Sequence, residues 1–173
     1  MLNIYINTWG NYNENGADNG EWITLPMDED ELEEKLEAVA EAMGDNDPEW
    51  FVNDYEWTTE ESFFEVNEMD NYFKLNERLE ELGTITEYEQ AVLLSILDVY
   101  TNDFDEAVEI LQSGNYIFYQ GAELSDVAYE QVQDYFTSEI PQIFINHFNY
   151  DSYERELTIC GYRETKWGVI LSC

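Results

Sequence analysis

The sequence predicts an α+β fold, and three observations carry that prediction. The opening stretch LNIYINT alternates, with Leu2, Ile4 and Ile6 on one face and Asn3, Tyr5 and Asn7 on the other, the period of a half-buried strand. The middle of the chain spaces its apolar residues by three and four, the period of a helix that buries one face. The last third returns to a mixture of both. Hydrophobic residues make up 44% and aromatics 16%, which suffices for a core, whereas acidic disordered chains are poor in aromatics.

The elements follow in order. After the first strand, GNYNENGADNG reads as a long polar loop punctuated by Gly10, Gly16 and Gly20. EWITLP reads as a short strand stopped by Pro26. MDEDELEEKLEAVAEAM, residues 27–43, carries Leu32, Leu36, Val39 and Met43 as one stripe, with Gly44 placed to end the helix. EWFVNDYEW, residues 49–57, is aromatic enough for a third strand. From Val66 to Leu82 the residues Met69, Phe73, Leu79 and Leu82 keep a helical period that Gly83 ends. Thr86 and Glu89 form a T-x-x-E capping box. The helix behind it, with Ala91, Val92, Leu94, Ile96, Leu97 and Tyr100, is apolar over much of its circumference and is predicted to be central. Asp103 caps a third helix that ends at Gly114, and three helices with short loops make a small bundle. NYIFYQ reads as a strand, Ser125 as the cap of a helix through Phe136, Pro141 as the first turn of a short helix, and ELTIC with WGVIL as a closing hairpin. The changes of period divide the chain into three domains: an α+β domain over 1–62, a helical bundle over 63–114 and an α+β domain over 115–173.

Charge is the outlying property. Forty Asp and Glu face six Lys and Arg, a net charge of −34. Such a surface repels itself, most at low salt. It excludes nucleic acid and anionic membrane as partners and favours a basic protein surface or cations. The first residues lack a basic segment followed by an apolar one, and no apolar run approaches transmembrane length, so the chain is expected to be cytoplasmic. Cys160 and Cys173 have no metal spacing and read as reduced thiols.

Chemistry finds little support. His147 is the sole histidine and sits among aromatic and amide residues, so it reads as structural. The G-x-S-x-G, G-x-G-x-x-G and G-x-x-x-x-G-K patterns are absent. Paired carboxylates could serve acid–base catalysis, but among forty a pair always exists. EF-hand spacing fails from Asp70, Asp98 and Asp103. The reading is therefore of a protein without catalytic residues, bound metal or cofactor.

Duplex DNA carries one charge per ~1.7 Å of axis, so 34 charges correspond to about 58 Å of duplex. Residues 28–41 hold eight acids and one lysine over ~21 Å of helix. That is about one net charge per ~3 Å, close to a single DNA strand. The rest of the acid is spread evenly. Glu60, Glu61, Glu65 and Glu68 precede the bundle; Glu77, Glu80 and Glu81 lie at the helix junction; Asp105 and Glu109 lie on the third helix. Asp126, Glu130 and Asp134 recur every four residues, one turn apart. Solubility needs far less.

The chain resembles the ArdA antirestriction family in IYINTWGNYNENG, GEWITLP, NDYEW, NEMDNYFKLNERLEEL, SDVAYEQVQDYF and FNYDSYERELTICGY. The resemblance runs over most of the chain in the family's order. It implies an elongated, curved homodimer of three small domains, carried by mobile genetic elements. Such a protein imitates bent DNA in the groove of type I restriction–modification enzymes, on their methyltransferase core. The carboxylates standing in for phosphates would be Glu29, Asp30, Glu33, Glu34, Glu37, Glu41 and the eleven groups named above from Glu60 through Glu130, with Asp134. The dimer is expected through the C-terminal sheet and the helix face around Tyr129, Val132, Tyr135 and Phe136. An acidic inhibitor of another DNA-binding protein, an enzyme with buried carboxylates and adaptation to salt are the competing readings.

Overall fold

The alternating strand at the start of the chain is strand β1 (Leu2–Thr8), whose Leu2, Ile4 and Ile6 are fully buried. The structure, a computed structural model, describes residues 1–136 and 141–172, the side chain of Phe136 excepted. Among them it has eight α-helices and two three-stranded antiparallel sheets, an α+β fold. The chain gathers into two compact units, Met1–Ile85 and Thr86–Cys173. The expected cut at 62/63 falls inside the first unit and the cut at 114/115 inside the second.

In the first unit β1 is the central strand, flanked by β2 (Glu21–Leu25) and β3 (Trp50–Trp57). Ile4 lies opposite Ile23 on one side and Tyr55 on the other. Helix α2 (Glu29–Met43) buries Leu32, Leu36, Val39 and Ala40, close to the expected stripe, and ends at Gly44 in the left-handed region (φ 72°). Helix α3 (Tyr72–Thr84) is tied to the segment before α2 through Asn76. The Asn76 side chain accepts from Met27 N–H at 2.9 Å and donates to its carbonyl at 2.8 Å.

Two expectations are corrected here. The polar stretch after β1 is not all loop: helix α1 (Trp9–Asn15) and a 3-10 turn (Ala17–Asn19) lie within it. Thr8 caps α1, and Asn11 donates to Asn7 while Asn15 donates to Asn11, so asparagine bonding replaces an apolar stripe. The helix expected from Val66 begins only at Tyr72, because Asn71 caps it by accepting from Phe73 and Lys74 N–H. Residues before that cap are committed elsewhere: Val52 N–H donates to Glu68 O, and Met69 is 70% exposed.

In the second unit helices α4 (Glu87–Val99) and α5 (Phe104–Ser113) lead into β4 (Tyr116–Gln120). Helices α6 (Leu124–Phe136), α7 (Gln142–Ile145) and α8 (Tyr150–Ile159) follow, then β5 (Arg163–Thr165) and β6 (Gly168–Ser172). The sheet order is β4-β6-β5. Val169 packs with Val127 and Ala128 of α6 and Leu157 of α8. Ile170 points to the other face by the alternation of a strand and is also fully buried. Ser95 of α4 meets Thr165, which shares that other face, at 2.9 Å. The sheet is thus a middle layer, and α4, buried from Ala91 to Ile96, is central as expected. Both bonds of the Thr86–Glu89 capping box form, and Asp103 caps α5. Helix α3 belongs to the first unit, so the three helices read from the sequence as one bundle are divided between the units.

ELTIC is not a strand. It lies at the end of α8, a helix whose start Asn149 caps by accepting from Ser152 N–H and whose Leu157 turns into the core. Tertiary packing overrides the strand preference of Thr158 and Ile159. The hairpin is shorter, β5 with β6, and Gly168 is required at its turn (φ 147°). A Cβ there would stand 2.2 Å from Tyr119 O. Nor does Ser125 cap α6: Glu164 accepts from Leu124 N–H at 2.8 Å and Asp126 accepts from Glu123 N–H at 2.9 Å.

Candidate functional site

The buried polar residues among those described are Asn7, Thr8, Asn11, Asn76 and Ser95, all neutral. No described carboxylate is buried. This follows from the cost of taking an unpaired charge out of water, which six cations cannot offset for forty anions. Even with every cation matched to one acid, 34 carboxylates stay unneutralised.

Helix α2 sets the pattern. Its apolar stripe turns inward, and Glu29, Asp30, Glu33, Glu34, Glu37 and Glu41 are all exposed. Asp28 caps it by accepting from Asp30 N–H, and Glu29, Asp30 and Glu31 fill its first turn, where the positive end of the helix dipole favours them. No basic residue lies in its last turn. Lys35 reaches Glu21 at 3.5 Å, with side chains 41% and 50% exposed, a pair worth little to stability.

The remaining acids expected to act as phosphates keep to the surface. Glu60, Glu65, Glu68, Glu77, Glu80, Glu109, Asp126, Glu130 and Asp134 are exposed; Glu61, Glu81 and Asp105 are half-buried. Two of them also hold the fold: Glu80 accepts from Asn76 at 3.2 Å, and Asp126 caps the start of α6. Several cations serve local structure as well. The Arg78 guanidinium lies 5.4 Å from the Phe64 ring, Lys166 lies 5.7 Å from the Trp167 ring, and Arg163 donates to the carbonyls of Thr158 and Tyr162.

The face expected for self-association divides. Tyr129 (57%) and Tyr135 (76%) are exposed on α6, whereas Val132 (1%) turns into the chain's own core. The side chain of Phe136 lies outside the described residues, as does Cys173; Cys160 is exposed. Sequence reasoning passed over Ile143, Phe144 and Ile159, each more than 60% exposed on α7 and α8. No period marks Ile143 and Phe144, because α7, four residues long, is too short for an apolar face to be read from its spacing. His147 is exposed, among the described residues no group of three or more His, Cys, Asp or Glu could hold a metal ion, and no helix is long and apolar enough to cross a membrane.

These features define an acidic α+β protein that presents its charge on its surface. The chain belongs to the ArdA family of antirestriction proteins: the family model, described as antirestriction protein (ArdA), matches residues 4–170. No curated protein matches it.

Proposed function

We propose that this antirestriction protein works as a DNA mimic, occupying the DNA-binding groove of a type I restriction–modification enzyme at its methyltransferase core. The observation that carries the reading is the exposure of the carboxylates, none of them buried among the described residues, with 34 in excess of the available cations. Lys and Arg side chains that bind phosphates would bind these groups instead, releasing counterions as DNA does. Each contact is weak and the sum is strong. Inhibition needs no bond-making step by this chain, only competition for the groove. The protein would act in the cytoplasm, brought in by a mobile element and meeting the enzyme before the incoming DNA is cut.

The type I target has two separated parts, so a homodimer fills both arms. The exposed apolar residues Tyr129, Tyr135, Ile143, Phe144 and Ile159 support self-association through α6, α7 and α8. The deciding experiment is competition: labelled target duplex on a purified type I methyltransferase core, displaced by this protein over a series of salt concentrations. Displacement that weakens steeply with salt supports the reading. Absence of displacement at modest salt overturns it and favours an inhibitor of another DNA-binding protein.

A further inference from the structure

A groove in the first unit joins the acidic surface to an apolar one. Its floor is Leu36 and Ala40 of α2, Trp50 of β3 and Phe73 of α3, and it holds about 460 Å³. Trp50 and Phe73 are half-buried, so their rings are partly open to the groove. The Trp50 ring meets that of Tyr72 edge-on, with centroids 6.2 Å apart. Along one wall stand Glu33, Glu37 and Glu41, four residues apart on α2 and therefore about 6 Å apart, one turn each. Asp45, Asn46 and Pro48 complete the lining, and among the described residues no lysine or arginine lines it.

We propose that this groove receives a basic helical segment of the partner enzyme, with arginines one turn apart. The inference rests on the reading that the partner is a basic, DNA-binding protein. An arginine has an apolar stem and a planar charged head, so it matches an apolar floor beside a carboxylate wall. The head can pair with a carboxylate through two parallel hydrogen bonds and can lie over an indole face. A helix repeating arginine every four residues carries the same 6 Å spacing as Glu33, Glu37 and Glu41. A phosphate row offers the charge but not the aromatic floor, so this contact would add shape selectivity to the distributed attraction.

Trp50 reports on the groove directly. Its indole N–H resonance, assigned by its loss in Trp50→Phe, is followed while a capped helical peptide with arginine at every fourth position is added, and again with the lysine counterpart. The expected result is a saturable shift, larger with arginine. Changing Glu33, Glu37 and Glu41 together to Gln weakens that binding roughly tenfold, whereas the same change at exposed Glu60, Glu65 and Glu68, outside the groove, weakens it less than about twofold. An unmoved Trp50 signal, equal shifts with both peptides, or equal loss from the two triple substitutions overturns the groove. All these variants replace exposed side chains or retain an aromatic ring, and circular dichroism checks the fold. The peptide titration does not use the restriction enzyme, so its failure is separable from failure of the DNA competition.

Discussion

Thr8 Oγ1 donates to Asp45 Oδ2 at 2.7 Å, joining the start of α1 to the residue behind the last turn of α2. The same hydroxyl accepts from Asn11 N–H at 3.1 Å and so caps α1. Asp45 also accepts from Asp47 N–H at 3.2 Å, and Trp9 N–H donates to Glu49 O. Gly10 makes room for the carboxylate: a Cβ there would stand 2.7 Å from Asp45 Oδ2. Asp45 is thus a carboxylate of the fold. Asp45→Ala and Thr8→Ala are each expected to destabilise by about 1–2 kcal/mol, and Gly10→Ala to destabilise as well. Denaturant unfolding of the Asp45 and Thr8 single variants and of their double variant checks it, with a coupling of about 1 kcal/mol marking the shared bond.

The capping box of α4 gives a prediction with a pH sign. Thr86 donates its backbone N–H to Glu89 at 2.7 Å and its hydroxyl at 2.8 Å. The backbone bond first, then the hydroxyl, hold the Glu89 carboxyl below its ordinary range. The folded state therefore favours the charged form, so its contribution is present above the ordinary value of 4.5 and is lost as pH falls through the lower, folded value. Glu89→Gln should lower stability at neutral pH, with the difference from the parent closing below about pH 4.5. Thermal unfolding of both proteins from pH 7 downward measures the closing. A difference independent of pH would remove charge from the account of this cap.

Gln131 of α6 holds three tyrosines together. Its amide donates to Tyr162 at 3.1 Å and to Tyr119 at 3.4 Å, while Tyr153 donates to its carbonyl at 2.9 Å. Burial pushes the Tyr162 hydroxyl up, and the bond from Gln131 partly offsets that push. Gln131→Leu should cost about 1–3 kcal/mol by leaving these hydroxyls unpaired. It should also raise the Tyr162 titration further, because the donor that favours the phenolate is gone. Phenolate absorbance followed against pH, with Tyr162→Phe to identify the group, checks the shift.

What the sequence made legible follows from how local each signal is. The capping box at Thr86, the Asp103 cap, the Gly44 terminus and the β1 alternation are written within a few residues, and all of them form. Helix α1 was hidden because its order comes from asparagine bonding between Asn7, Asn11 and Asn15, which a search for apolar periods does not register. At the end of α8 the local strand preference of Thr158 and Ile159 misleads, because the helix is held by packing of Leu157 on Val127, Ala128 and Val169, which is not written locally. The acidic surface was legible from composition alone, since exposed charge requires no long-range partner. The groove beside α2 is not, because it exists only once the fold brings Trp50 of β3 and Phe73 of α3 beside that helix.

The final prediction concerns how the charge is distributed. If inhibition rests on many weak contacts, changing Glu33 and Glu37 to Gln should weaken displacement of DNA by at most about fivefold per residue, since an exposed ion pair is worth ~1 kcal/mol at most. Changing a dozen exposed acids of one unit should weaken it severely and flatten its dependence on salt, because fewer counterions are then released. Acids with a second task make a poor test. Asp126→Asn disturbs the cap of α6 and Glu80→Gln the bond to Asn76, so both would confound binding with stability. Glu65, Glu68, Glu109 and Glu130 are exposed and better suited. The measurement is the slope of log affinity against log salt for each variant. A slope that falls in steps with the number of acids removed is the signature of a surface acting as a whole. Abolition of inhibition by one or two of these changes, with the fold intact, would mean a local site and would remove the phosphate-row mechanism.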